Sequence, residues 1–436
     1  MHPQRTGPDT NEAAATSRRP SRGRALRASL IVLTLLLAAL WALPAAAIER
    51  RKDQFPTEPS YLVLPLPYSL PGIGEGFFVP FFFSNILETH TDAYALVVTG
   101  DAKGEIFGVE DFHLIEKRLF FNVSYQDLSH VAVNNYETRG MQSEKEDFSI
   151  IDLSKVRSLE YGLTLSFFER RLEFSATQST QSIQVDRLLD NQGTLLATLD
   201  PPYTDETVRR DYSVLVDYTD DFQDPRRGVR FRMTRSDHPS DDPDNPAFYV
   251  REAKLTGYVP LGEVNTLALH FMRSDAVVTR TGQTNLDAIK ADLGLNCGGD
   301  PVCMAREDQL AQSFRNANLN GTSTDLGGDE LLRAYPASRF QGAHTLYVSA
   351  ELRWNLTQEV TPFDYLIWKD VRTGIQLALF YEAGSVSESS STLGDDVRSD
   401  YGVGLRMIAG SGEVYRMDAA TGDEGAEITV IVDYPF

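Results

Sequence analysis

The chain has 436 residues and a formal net charge of −21 at pH 7, from 62 acidic residues against 41 basic ones. That balance argues against a nucleic-acid partner, which needs a basic stripe, and against simple adsorption to anionic lipid. Two cysteines and seven scattered histidines give no metal-ligand spacing, so neither a metal nor a cofactor is expected.

The first element is a leader. Arg18, Arg19, Arg22, Arg24 and Arg27 precede the apolar run SLIVLTLLLAALWAL, and Ala45, Ala46 and Ala47 supply a small-residue cleavage site. This is the pattern of a secretory signal peptide over 1–47, cut between Ala47 and Ile48. An uncleaved membrane anchor is the competing reading, since the apolar run approaches a thin span in length. The long basic stretch also leaves a downstream start codon open. No later apolar run reaches helical membrane-spanning length; FFVPFFF at 77–83 is too short and contains Pro80. Such an exported chain is either soluble or a barrel.

After a short N-terminal segment, 48–73, expected in the periplasm, a two-residue alternation sets in and recurs to the end of the chain. In SLEYGLTLSFF the apolar set is Leu159, Tyr161, Leu163, Leu165 and Phe167, and in RDYSVLVDYTD it is Tyr212, Val214, Val216 and Tyr218. In HTLYVSAELRWNL, Leu346, Val348, Leu352 and Trp354 alternate with Tyr347, Ser349, Glu351 and Arg353. A period of two is a strand with one apolar face and one polar face. Sixteen strands are expected, near 74–84, 92–100, 105–113, 117–127, 146–153, 158–168, 171–184, 209–219, 228–236, 247–258, 264–273, 344–356, 373–384, 399–408, 413–419 and 426–436. Fourteen is the alternative count, because NNYETRGMQSEKED before the fifth reads as loop.

The connections are of two kinds. QDPRRG, VPLGEV and AGSGEV are tight, whereas 185–208, 236–246, 276–342 and 386–398 are long and polar, and the kinds alternate over most of the second half. Short turns on one rim and long loops on the other describe an all-β fold, a transmembrane antiparallel β-barrel over 74–436. Closure supplies hydrogen-bond partners to both edge strands in hydrocarbon. Within the longest loop, Cys297 and Cys303 stand close enough in an oxidising compartment to form a local disulfide. By alternation Glu351, Arg353, Glu382 and Arg406 point to the lumen. Asp241, Asp242 and Asp244 lack the spacing and glycine of a calcium loop. Neither a G-x-S-x-G elbow nor H-E-x-x-H occurs, so no enzyme is expected.

At the C-terminus, Ile428, Val430, Val432, Tyr434 and Phe436 form one apolar face. It resembles the C-terminal recognition strand of bacterial outer-membrane proteins. Gly327-Gly328, then Leu332-Arg333-Ala334-Tyr335, Gly342 and Glu351-Leu352-Arg353 resemble the sixth extracellular loop and following strand of the BamA/TamA-type bacterial surface antigen family. DYTDDFQDPRRG, LALFYEAGSV, SDYGVGLRM and VYRMDAA resemble further strands of that family in order. The resemblance spans roughly 60–436 and departs from the family at Ala334, where the family has Gly, and at Glu382, where it has Asp.

The resemblance implies a loop folded back into the lumen, with Arg333 latched onto Glu351 or Glu382. It implies the outer membrane of a Gram-negative bacterium, lipid as surroundings, and the general barrel-assembly machinery for the chain's own insertion. It further implies a role in inserting or translocating outer-membrane or surface components. The dozen or so residues between Ile48 and the barrel region are too few for the family's POTRA domains, which points to a periplasmic partner supplying that arm. The alternative is a passive pore or structural surface antigen that lost its periplasmic domains.

Overall fold

The computed structural model describes residues 53–63, 65–294, 297–357, 363–365, 368–371, 373–409, 414–432 and 435. The expected signal peptide and two residues of the expected recognition strand, Tyr434 and Phe436, lie outside the described residues.

Sixteen antiparallel strands follow one another around a closed barrel. They are β1 (Ser60–Val63 and Leu66–Leu70), β2 (Gly74–Ser84), β3 (Asp92–Gly100), β4 (Lys103–Ile115) and β5 (Leu119–Ser129 and Val131–Tyr136). Next come β6 (Phe148–Phe167), β7 (Leu172–Leu189), β8 (Leu195–Thr219), β9 (Gly228–His238), β10 (Ala247–Leu261) and β11 (Asn265–Arg280). The last are β12 (His344–Asn355), β13 (Thr373–Ser387), β14 (Arg398–Ala409), β15 (Val414–Gly422) and β16 (Gly425–Val432). The sheet closes where Ser69 of β1 stands opposite Val430 of β16.

The wall is inside out relative to a soluble protein. Leu159, Leu379 and Leu405 are 43%, 47% and 45% exposed on its outer face, while Glu351, Arg406 and Asp418 are buried on the inner face. A broad apolar outside around a polar interior is the polarity of a membrane-spanning barrel, and a water-facing surface of that extent would associate. Among the described residues no helix is long and apolar enough to cross a membrane.

The expected count of sixteen is met with two strands differently placed. The barrel starts at Ser60, ahead of the expected boundary at residue 74. Pro65 and Pro67 speak against a strand there, yet β1 lies at the seam, and an edge strand tolerates residues without an N–H. Conversely, the expected strands 146–153 and 158–168 are one strand, β6, carried through its polar middle by register shifts between Asp152 and Lys155. Nor is 185–208 a long loop: β7 and β8 continue through it, leaving a connection of 190–194. In these extensions apolar residues come in adjacent pairs, Leu188-Leu189 and Leu195-Leu196, so they carry no period-two signature. The rims are also less regular than expected, because the β12–β13 connection on the rim of tight turns runs from 356 to 372, and within it the described residues Phe363–Tyr365 pair with Trp368–Val371.

The β11–β12 connection holds two helices, α1 (Leu286–Leu293) and α2 (Pro301–Asn320), joined across a Cys297–Cys303 disulfide. Asn285 caps α1 by accepting from the N–H groups of Asp287 and Ala288, and Gly294 ends it at φ 65°. Helix α2 packs on the β5–β6 connection. Arg306 Nε donates to Glu137 at 2.8 Å and Gln309 Nε2 to Asp147 at 2.5 Å. The Glu137 hydrogen bond holds the Arg306 guanidinium above its ordinary pKa. Beyond α2 the chain turns into the lumen.

Candidate functional site

Two places combine unusual chemistry with unusual geometry: a charged cluster where the in-folded loop meets β12–β15, and the seam between β16 and β1.

Arg333 is fully buried and uses its whole guanidinium. Nε donates to Glu382 Oε1 at 2.9 Å, Nη1 to Asp418 Oδ2 at 2.7 Å and Nη2 to Glu351 Oε2 at 3.4 Å. Its backbone N–H also donates to Glu382 Oε2 at 2.9 Å, and its Cζ stands 3.4 Å from the centre of the Phe380 ring. Glu351 is the hub of the wall, accepting from Arg353 Nε at 2.7 Å and from both terminal nitrogens of Arg406. Arg416 links Asp418, at 2.7 Å, to the loop carbonyl of Asp329, at 2.7 Å. Four buried arginines, 333, 353, 406 and 416, thus face four buried carboxylates, those of 351, 382, 400 and 418. Pairing with hydrogen-bonded opposite charge is the condition under which such groups can be desolvated.

Every residue named from the sequence for this cluster is there: Arg333, Tyr335, Glu351, Arg353, Glu382 and Arg406. Tyr335 sits on Gly422, where an added Cβ would stand 2.9 Å from its hydroxyl, and it donates to the Ser399 carbonyl at 3.3 Å. Ala334, where the family has Gly, would be strained only at a positive φ, and its neighbour takes that conformation instead. Leu332 takes the left-handed conformation, φ 56°, while Ala334 does not, and its N–H donates to Asp400 Oδ2 at 2.9 Å. Room for the cluster comes from Gly404, where a Cβ would fall 2.0 Å from Asp418 Oδ1.

Asp400, Arg416 and Asp418 were not read from the sequence, although Arg416 and Asp418 carry the inward parity of a strand. Arg339 was also missed. It is fully buried and donates twice to Glu424, at 2.7 and 2.8 Å, and to Ser143 Oγ at 2.6 Å. With Arg139 on Glu388 at 2.6 Å, it ties the in-folded loop to the β5–β6, β13–β14 and β15–β16 connections over one mouth of the barrel.

The seam is different. Among the described residues β12 and β13 share twelve registered pairs, β15 and β16 eight, but β16 and β1 one. By alternation Tyr415 and Val432 belong to the outer face, with Met417 and Ile428, whereas Leu66 and Tyr68 belong to the inner face, with Phe78. Nevertheless Leu66, Tyr68, Phe78, Tyr415 and Val432 form one apolar cluster, and Tyr415 donates its hydroxyl to the Pro67 carbonyl at 3.2 Å. Outer-face residues of the last strands thus meet inner-face residues of the first, an apolar overlap at the seam. Val430 is correspondingly 7% exposed, while its outward neighbour Ile428 is 57% exposed.

No family model matches the chain, and no curated protein does. Among solved structures it is similar to BamA from Haemophilus ducreyi lacking POTRA domains 1–3, at 10% identity over 88% of this chain and 76% of that one, with a TM-score of 0.46. It is similar to CdiB from Escherichia coli at 12% identity, covering 87% and 67%, with a TM-score of 0.48. Wzi, the carbohydrate-binding outer-membrane barrel involved in group 1 capsule assembly in Escherichia coli, is similar at 10% identity over 96% and 89%, with a TM-score of 0.30. These likenesses are loose, and the fold rests on the strand pairing itself.

Proposed function

We propose that this chain is an outer-membrane barrel that admits polypeptide segments to the lipid through the β16–β1 seam, assisting insertion or translocation of outer-membrane or surface components. The long loop faces outward and the N-terminal mouth faces the periplasm. The observation that carries this reading is the single registered pair at the seam among the described residues. Every unpaired N–H and C=O in hydrocarbon is expensive, by several kcal/mol each. A seam so sparsely registered among the described residues is therefore a place where an incoming strand can gain ladder hydrogen bonds. The resemblance of the in-folded loop and following strands to BamA/TamA-type barrels supports the same reading.

A structural surface protein is the second reading, and the mouth closed by Arg339, Arg139 and Arg306 favours it over a passive pore. Ser69→Cys with Val430→Cys separates insertion from that alternative. Under oxidation the pair should cross-link the seam, and cells relying on the locked protein should lose particular barrels or surface proteins from the outer-membrane proteome, with recovery on reduction. A locked protein that sustains a complete proteome would rule out passage through the seam.

A further inference from the structure

The chain ahead of β1 does not hang free below the barrel. Residues 53–59 pass the β2–β3 connection and reach the inner wall of β4 and β5, where the Phe55 side chain is 6% exposed. Its ring centre lies 5.9 Å from that of His90, 5.7 Å from His113 and 5.8 Å from Phe120, at interplanar angles of 65°, 75° and 59°. These inclined arrangements suit the quadrupoles of aromatic rings. Lys117 Nζ and Arg170 Cζ stand 5.8 and 6.0 Å from the same ring centre, at the outer range of cation–π attraction.

The walls of this pocket are held independently of Phe55. Arg170 is fixed by Asp111 at 2.6 Å and Glu173 at 2.9 Å and lies 4.4 Å over Phe222, and the His113 and Phe120 rings stack with centres 4.4 Å apart. Gln54 is buried beside Phe55, and beyond Phe55 the segment is recognised through its main chain. Asn85 Nδ2 donates to the Glu58 carbonyl at 2.8 Å, and His90 Nδ1 lies 3.1 Å from the Pro56 carbonyl oxygen, a contact that requires the Nδ1–H tautomer. The side chains of residues 56–59 are exposed. One aromatic anchor with main-chain acceptors is a sequence-tolerant way to hold an extended peptide.

We propose that the periplasmic mouth carries a binding site for an aromatic side chain on an extended backbone. Phe55 fills it in the resting molecule, and an unfolded polypeptide in transit, bearing an aromatic residue followed by accessible carbonyls, displaces it. The site is walled by β4, β5 and the β2–β3 connection rather than by the seam pairing, and the proposal stands without the insertion reading. Tethering gives the internal segment an effective concentration on the order of millimolar, so a weak external ligand competes only when locally abundant.

The probe is a fluorescent heptapeptide, DQFPTEP, copying residues 53–59, with a second peptide in which Ala replaces Phe. Both are titrated onto the full chain in detergent. Phe55→Ala should bind the first peptide at least about tenfold more tightly than the wild type does, and the Ala peptide should bind neither protein. A protease site placed after Pro59 supplies the same test on protein that folded with Phe55 present, since cutting frees the segment to exchange. Equal affinity of the first peptide for wild type and Phe55→Ala would overturn the proposal. So would equal binding of both peptides, or no binding to the cut protein while its barrel keeps its heat-dependent gel migration.

Discussion

The two sides of the barrel are held by different physics. From β12 to β15 the strands pair through twelve, twelve and nine registered pairs, and Glu351 of β12 reaches across β13 to Arg406 of β14. Forked guanidinium–carboxylate bonds are directional, so they fix one register and resist sliding. At the seam the described residues are joined by one registered pair and an apolar overlap of Leu66, Tyr68, Tyr415 and Val432. Hydrophobic contact is non-directional and stays nearly as favourable when surfaces slip. The charged side is thus the rigid one, and the in-folded loop is anchored on it.

The largest effect tests the rigid side. Arg333→Ala leaves Glu382, Asp418 and Glu351 facing one another without their shared cation, and breaking a buried ion pair by removing one partner costs roughly 3–5 kcal/mol. The temperature at which the barrel loses its compact gel migration should fall, and the β11–β12 connection should become protease-sensitive. Arg333→Lys should lie between, since it keeps the charge and loses the fork. Unchanged heat stability and protease resistance in Arg333→Ala would mean that the cluster does not anchor the loop.

A smaller effect on the same side comes from Gly404→Ala. The new methyl would fall 2.0 Å from Asp418 Oδ1 and so push away the carboxylate that holds both Arg333 and Arg416. Overpacking of this kind costs about 1–3 kcal/mol. Heat-dependent migration should shift in the same direction as for Arg333→Ala and by less. A wild-type transition would show that the Asp418 carboxylate can move without loosening the loop.

The rigid side was largely legible in the sequence and the seam was not, for a physical reason. Outward Leu379 and inward Glu382, like outward Leu352 and inward Glu351, are fixed by strand parity, which a period of two writes directly. The loop motif around Arg333 then supplies the cation. Asp418 escaped notice because β15 is short, although its parity with Arg416 was visible. Arg339 gave no local signal, since its partner Glu424 lies 85 residues away across the mouth. The first strand was lost behind Pro65 and Pro67, and the overlap behind it is a relation between the two ends of the sheet, which no local pattern encodes. Leu332 rather than Ala334 takes the left-handed turn because Ala334 must aim its N–H at Asp400, a tertiary demand.

Tyr415→Phe should have the smallest effect and tests the seam alone. The change keeps the ring in the apolar overlap and removes one hydrogen bond, to the Pro67 carbonyl. Such a bond contributes about 0.5–1.5 kcal/mol net, which is little against the whole barrel. Heat-dependent gel migration should therefore stay where it is. At the seam the same energy weighs against one registered pair and the overlap among the described residues, and about 1.4 kcal/mol is a factor of ten in a local opening equilibrium. Amide hydrogen exchange over Leu66–Leu70 and Gly425–Val432 should accordingly quicken several-fold, with β12 and β13 unchanged. Faster exchange spread evenly around the wall would mean that the barrel breathes as one body. Unchanged exchange at Leu66–Leu70 would mean that Tyr415 does not clasp the overlap and that the seam is held by something stronger than its visible contacts.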